Sequence, residues 1–158
     1  FERVGLKVSS IKMVWMKQDF AAKHYRDDTG WYKSVGEKML AFYKENGMDP
    51  GENLGTKDPV YLGKLVRKWL LDYITSGPVV AVLLTGPAAV EIARKFIGTT
   101  YPLTSPPGTI RGDYYYDSPA LANLGKRAVM NLVHASGSKE EADFERKLWF
   151  KEKEIYDY

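Results

Sequence analysis

Apolar and polar positions change period several times along the chain, and each change marks an element. Val4, Leu6 and Val8 alternate on even positions, whereas Ile11, Met13 and Trp15 fall on odd ones. Val4 to Met16 therefore reads as one long strand whose phase flips at Ser9-Ser10, as a β-bulge requires. Gln18 to Tyr25 reads as a short helix, closed by the turn residues Asp27-Asp28-Thr29-Gly30. Trp31 to Asn46 reads as a helix carrying Trp31, Val35, Leu40, Phe42 and Tyr43, with Gly47 as its stop. Met48 to Asp58 is polar and broken by proline and glycine, hence a loop. Pro59 to Ile74 has helical spacing, with Leu62, Val66, Trp69 and Tyr73 on one face.

Ser76-Gly77-Pro78 ends that helix, and Val79 to Leu84 is an unbroken apolar run of strand length. Gly86-Pro87 opens a further helix to Ile97, stopped by Gly98. Thr99 to Gly112 is rich in proline and glycine and reads as a long irregular loop, a kind of segment that is often functional. Tyr114-Tyr115-Tyr116 reads as strand alternation, and Val129 to His134 as a short strand. Ser138-Lys139-Glu140-Glu141 has the form of a capping box opening a last helix through Trp149. The order of elements predicts an α+β fold, an antiparallel sheet covered by helices, in a single domain over 1–158.

Composition narrows the function classes. With 158 residues, 44% of them hydrophobic and 27% charged, the chain can bury a core of its own. It has no cysteine, which excludes disulfides and thiolate chemistry. No apolar run reaches the length of a membrane span. The net charge of +3 comes from Lys and Arg spread along the chain, which suits anionic ligands and argues against a nucleic-acid surface.

The candidate chemistry lies in Asn131-Leu132-Val133-His134-Ala135-Ser136-Gly137-Ser138. This segment places one of the two histidines just ahead of a helix start, where unpaired N–H groups favour phosphate. Imidazole is a suitable phosphoryl carrier, because it is largely neutral near pH 7 and its phosphoramidate transfers readily. Glu145, in the last helix, is placed to fix the histidine tautomer, although a solvated helix glutamate is the commoner case. Arg111, in Pro107-Gly108-Thr109-Ile110-Arg111-Gly112-Asp113, offers a bidentate grip on phosphate; read alone it is a surface arginine paired with Asp113. Arg94, read alone, is an exposed helix residue. His24 is structural or exposed.

Taken together, these segments resemble nucleoside diphosphate kinases. The Arg111 and His134 motifs carry most of the resemblance. Thr75-Ser76-Gly77-Pro78-Val79-Val80-Ala81, Lys23-His24-Tyr25 and Leu148-Trp149-Phe150 extend it along the chain. The resemblance implies a ferredoxin-like α+β fold and ping-pong transfer of a γ-phosphoryl group between nucleoside triphosphates and diphosphates through His134. It implies that Glu145 and Ser136 support His134, that Tyr25 orders the site, and that Arg94, Thr100 and Arg111 bind phosphates. Asn131 would meet the ribose. Mg²⁺ would accompany the nucleotide rather than sit on protein ligands. Broad base specificity, a cytoplasmic setting and a homo-oligomer, a dimer-based tetramer or hexamer, are also implied.

Three departures qualify it. The family's opening strand with its Lys-Pro-Asp motif, and the helix after it, are not in this sequence, and no lysine here takes that place. The expectation is a preceding segment of a longer chain; the alternative is a non-catalytic nucleotide-binding regulatory protein of the same fold. Residues 26–63 form an insertion, and Tyr114 to Arg127 a longer connection than usual, as in a long-chain subgroup. At the position of the family's base-stacking aromatic stands Val66, with Leu70 as the next apolar wall.

Overall fold

The computed structural model describes residues 1–158. In chain order it contains β1 (Lys7–Val14), α1 (Gln18–His24), α2 (Thr29–Glu45), α3 (Pro50–Leu54), α4 (Pro59–Ile74), β2 (Val79–Thr85), α5 (Ala89–Ile97), α6 (Ile110–Tyr114), α7 (Pro119–Leu124) and α8 (Lys139–Trp149), with short 3-10 turns between some of them. These form two compact units. The first comprises Phe1–Trp15, Pro78–Ser118 and Asn131–Tyr158; the second comprises Met16–Gly77 and Pro119–Met130.

The first unit is built on an antiparallel pair, β1 with β2, running from Lys7 opposite Thr85 to Val14 opposite Val79. The register shifts between Val8 and Ser10, so the bulge falls where the hydrophobic phase flips. Ser9 Oγ and Thr85 Oγ1, 2.7 Å apart, bridge the two strands there. A two-stranded ribbon is marginal by itself. The C-terminal residues run along its β1 side: Tyr156 N donates to Ser9 O at 2.9 Å, and Lys12 Nζ meets Glu154 Oε2 at 2.9 Å. Ile11, Met13, Val80 and Val82 remain exposed on the ribbon.

The second unit is helical. Its core joins Met39 and Tyr43 of α2, Leu62 and Trp69 of α4, and Ala128 from the far segment. Both long helices start on an aspartate: Asp28 accepts from Trp31 N, and Asp58 accepts from Val60 N and Tyr61 N. Glycines let α2 and α4 approach backbone to backbone. A Cβ on Gly36 would stand 1.8 Å from Pro59 O, and one on Gly63 would stand 2.0 Å from Tyr32 O. Asn53 ties α3 inward, donating to Tyr43 Oη at 2.6 Å and to Asn123 O at 3.2 Å.

Several expectations are corrected. The first strand begins at Lys7, because Gly5 turns the chain at φ 87° after a 3-10 turn over Glu2–Val4. Met48 to Asp58 contains α3, with Asp49 capping it through Gly51 N. The long loop gives way at Ile110 to α6, capped by Thr109. The tyrosine run is no strand: Tyr114 closes α6, and the rings of Tyr115 and Tyr116 stack at 5.1 Å. Val129 to His134 is irregular, because Leu132 adopts φ 63°, outside strand geometry. His24 is buried, with Tyr25 edge-on to it. No helix is long and apolar enough to cross a membrane.

Candidate active site

The start of α8 fixes the segment that carries His134. Ser138 Oγ caps the helix through Glu141 N at 3.2 Å. The Glu141 carboxylate reaches back to Gly137 N rather than to Ser138 N, a variant of the capping box. One turn further along, Glu145 is buried and faces the same loop. Its Oε1 lies 2.7 Å from His134 Nε2, and its Oε2 accepts from Ser136 Oγ at 2.5 Å. An ionised carboxylate only accepts, so this contact calls for the proton on Nε2. The carboxylate is shielded, with 11% of its side chain exposed, whereas 44% of the histidine side chain is open to solvent. A held tautomer on an accessible ring is what a nucleophilic imidazole needs.

Arg111 is buried within the same unit. Its Nε donates to Asn131 O at 3.1 Å, and its Nη1 to Gly98 O at 3.3 Å and Thr99 O at 2.7 Å. Its Nη2 donates to Val133 O. The surface pair with Asp113 does not form in this way, because the Asp113 carboxylate instead accepts from Gly108 N at 2.8 Å. Asn131 Nδ2 reaches Thr100 O at 3.4 Å, which joins the loop after α5 to the histidine segment. Arg94 is exposed on α5, and its Nη1 lies 4.0 Å from where a Cβ on Gly137 would stand. His134, Ser136, Glu145, Asn131, Thr100, Arg111 and Arg94 are thus gathered in one unit.

The remaining sequence-derived positions lie in the helical unit. Tyr25 is the C-cap of α1. Val66 and Leu70 lie on α4 and pack against its core cluster. The turn at Leu132 and the carbonyls of Gly98 and Thr99 were not legible as site features. Nothing in a sequence marks a carbonyl as an acceptor, and an apolar Leu-Val pair reads as strand.

The family model for nucleoside diphosphate kinase matches residues 61–155. A nucleoside diphosphate kinase of Pyrobaculum aerophilum is 47% identical over 155 residues, spanning 98% of this chain and 85% of the relative. The chain belongs to the nucleoside diphosphate kinase family. A crystal structure of an NDP kinase from Pyrobaculum aerophilum aligns with a TM-score of 0.95 at 46% identity, covering 99% of this chain and 86% of that one. A transition-state mimic of the nucleoside-diphosphate kinase from Borrelia burgdorferi, with bound vanadate and ADP, aligns at a TM-score of 0.76 and 30% identity, covering 100% and 77%. The fold is the family's ferredoxin-like α+β one.

Proposed function

We propose that the chain is a nucleoside diphosphate kinase working by ping-pong phosphoryl transfer through His134. The observation that carries this reading is the His134–Glu145–Ser136 arrangement, in which a shielded carboxylate, itself held by a serine, sits 2.7 Å from one ring nitrogen of a solvent-open histidine. Nδ1 attacks the γ-phosphorus of a nucleoside triphosphate. The N–P bond forms, the bond to the bridging oxygen breaks, and its electron pair leaves with the diphosphate. A second diphosphate then attacks the phosphohistidine and carries the phosphoryl away. Glu145 stabilises the imidazolium character that develops at Nε2, and Ser136 holds the second carboxylate oxygen.

On the nucleotide side we assign Arg94, Thr100, Arg111 and Asn131; the family resemblance alone adds Tyr25, Val66 and Leu70 and makes residues 26–63 an insertion. The cationic Arg94 beside Gly137 and the α8 start suit phosphate rather than a protein-held metal. Mg²⁺ fits as an ion arriving on the nucleotide and neutralising phosphate charge. Nucleoside di- and triphosphates are the substrates, and the assembly is a homo-oligomer in the cytoplasm, a dimer-based tetramer or hexamer.

The test is labelling with γ-labelled ATP and Mg²⁺ followed by a GDP chase. Acid-labile label that moves to GTP and is missing from His134→Ala supports the reading; label that survives in His134→Ala removes it. Glu145→Gln is expected to slow labelling by roughly 10- to 100-fold without unfolding the chain, as supporting residues do for a tautomer-dependent ring.

A further inference from the structure

We propose that Ser105 is a positioning residue for Thr100, whose hydroxyl it presents to the nucleotide phosphates by holding the backbone on both sides of it. This rests on the kinase reading, which assigns Thr100 to phosphate. Thr99 and Thr100 are chemically alike, but only one of them is committed within the chain. Thr99 Oγ1 lies 3.1 Å from Tyr101 O, 3.2 Å from Thr104 Oγ1 and 3.0 Å from Ser105 Oγ. Thr100 is exposed, and its hydroxyl makes no hydrogen bond within the chain. A β-branched side chain is stiff at χ1, so the direction of that hydroxyl follows the backbone that carries it.

That backbone is held from inside. Ser105 Oγ lies 3.2 Å from Thr99 O and 3.1 Å from Tyr101 O, within donating reach of the carbonyls that flank Thr100. The carbonyl between them, Thr100 O, accepts from Asn131 Nδ2 at 3.4 Å. Ser105 is buried, so water does not take over its contacts. It reaches this place because the chain folds back through the 3-10 turn Pro102–Thr104, with Ser105 N donating to Pro102 O at 3.0 Å. The fit leaves no room for a side chain at the start of the loop. A Cβ on Gly98 would stand 2.9 Å from Ser105 Oγ, and Gly98 has φ 95°.

Ser105→Ala, Thr100→Val and the double variant test this. Ser105→Ala is expected to weaken ADP binding, and to slow His134 labelling at low ATP, by roughly fivefold each, the worth of one hydrogen bond. Thr100→Val keeps the β-branched shape and removes the hydroxyl. In that background Ser105→Ala is expected to cost less than about twofold, because the group it positions is gone. A serine that merely filled and stabilised the loop would cost the same in both backgrounds.

Equal losses in the two backgrounds overturn the proposal, as does ADP binding untouched by Ser105→Ala. Should Ser105→Ala fail to fold, Ser105→Cys, of similar shape but a weaker donor, carries the same cycle. If the wild type takes no label, the kinase reading falls, and the cycle in ADP affinity alone then judges the role of Ser105. If it binds no ADP either, both fall.

Discussion

Arg67 in the helical unit and Arg111 in the sheet-bearing unit both end on backbone carbonyls, but they hold different kinds of backbone. Arg67 Nη2 donates to Ala22 O at 3.0 Å and its Nε to Arg26 O at 3.0 Å, while Nη2 also meets Asp27 Oδ2 at 3.1 Å. It therefore finishes the end of α1, where every helix leaves carbonyls unpaired. The backbone there is relaxed: Tyr25, between the two acceptors, is ordinary extended chain at φ −94° and ψ 135°. Arg111 instead brackets Leu132, which stands at φ 63°, donating to Asn131 O before it and to Val133 O after it. The same side chain thus closes on relaxed backbone in one unit and on a positive-φ turn in the other, and the backbone angle between the acceptors distinguishes the two.

Substitutions in the helical unit can break that comparison. The largest effect is expected at Gly63. A valine there drives its Cβ into the Tyr32 backbone, which cannot move as a side-chain tip can. Gly63→Val is expected to lose about 3 kcal/mol or more, read by denaturant unfolding. Arg67→Met comes next. Its side chain is only 12% exposed, and its loss leaves Ala22 O and Arg26 O short of a donor. The expected cost is about 2 kcal/mol, with labelling of His134 per folded molecule much less affected than by Arg111→Ala. A labelling loss equal to that of Arg111→Ala would erase the distinction.

The smallest effect concerns acid. The hydrogen bond from Lys57, followed by that from Gly51 N–H, holds the Asp49 carboxyl below its ordinary value of 3.8. A depressed folded value means stability that is present above the unfolded pKa and is lost as pH falls through the folded one. Asp49→Asn is therefore expected to be less stable than wild type at neutral pH, with the gap closing below about pH 3.8. Unfolding midpoints at a series of pH values check it, and a gap independent of pH would remove Asp49 from the acid response.

Much of this architecture was legible before any coordinates. Helix α4 runs from Pro59 to Ile74 as its spacing says, since proline fits the first turn and Asp58 caps it. The bulge at Ser9 was visible because a strand's faces alternate, so a phase flip has a single geometric cause. Glu145, read alone, was more simply a solvated helix residue, and only the family resemblance set it and Ser136 beside His134; both lie within hydrogen-bond reach along this segment. The histidine segment's backbone was not legible. The apolar Leu132-Val133 pair reads as strand, whereas Leu132 adopts φ 63° between two carbonyls held by Arg111, twenty residues upstream. α7 was missed for a related reason: its six residues are too few to show a helical period.

The make-up of the helical unit constrains how the protein is born. Its core includes Ala128, and Asn53 bonds to Asn123 O, although the rest of the unit is encoded before residue 78. A chain emerging from the ribosome at about 5–20 residues per second makes α1 to α4 first. It must then synthesise β2, α5 and α6 before the segment Pro119–Met130, which completes that core, appears. For those seconds Met39, Tyr43, Leu62 and Trp69 lack their last neighbour, and the nascent chain offers a chaperone an apolar surface that the finished protein conceals.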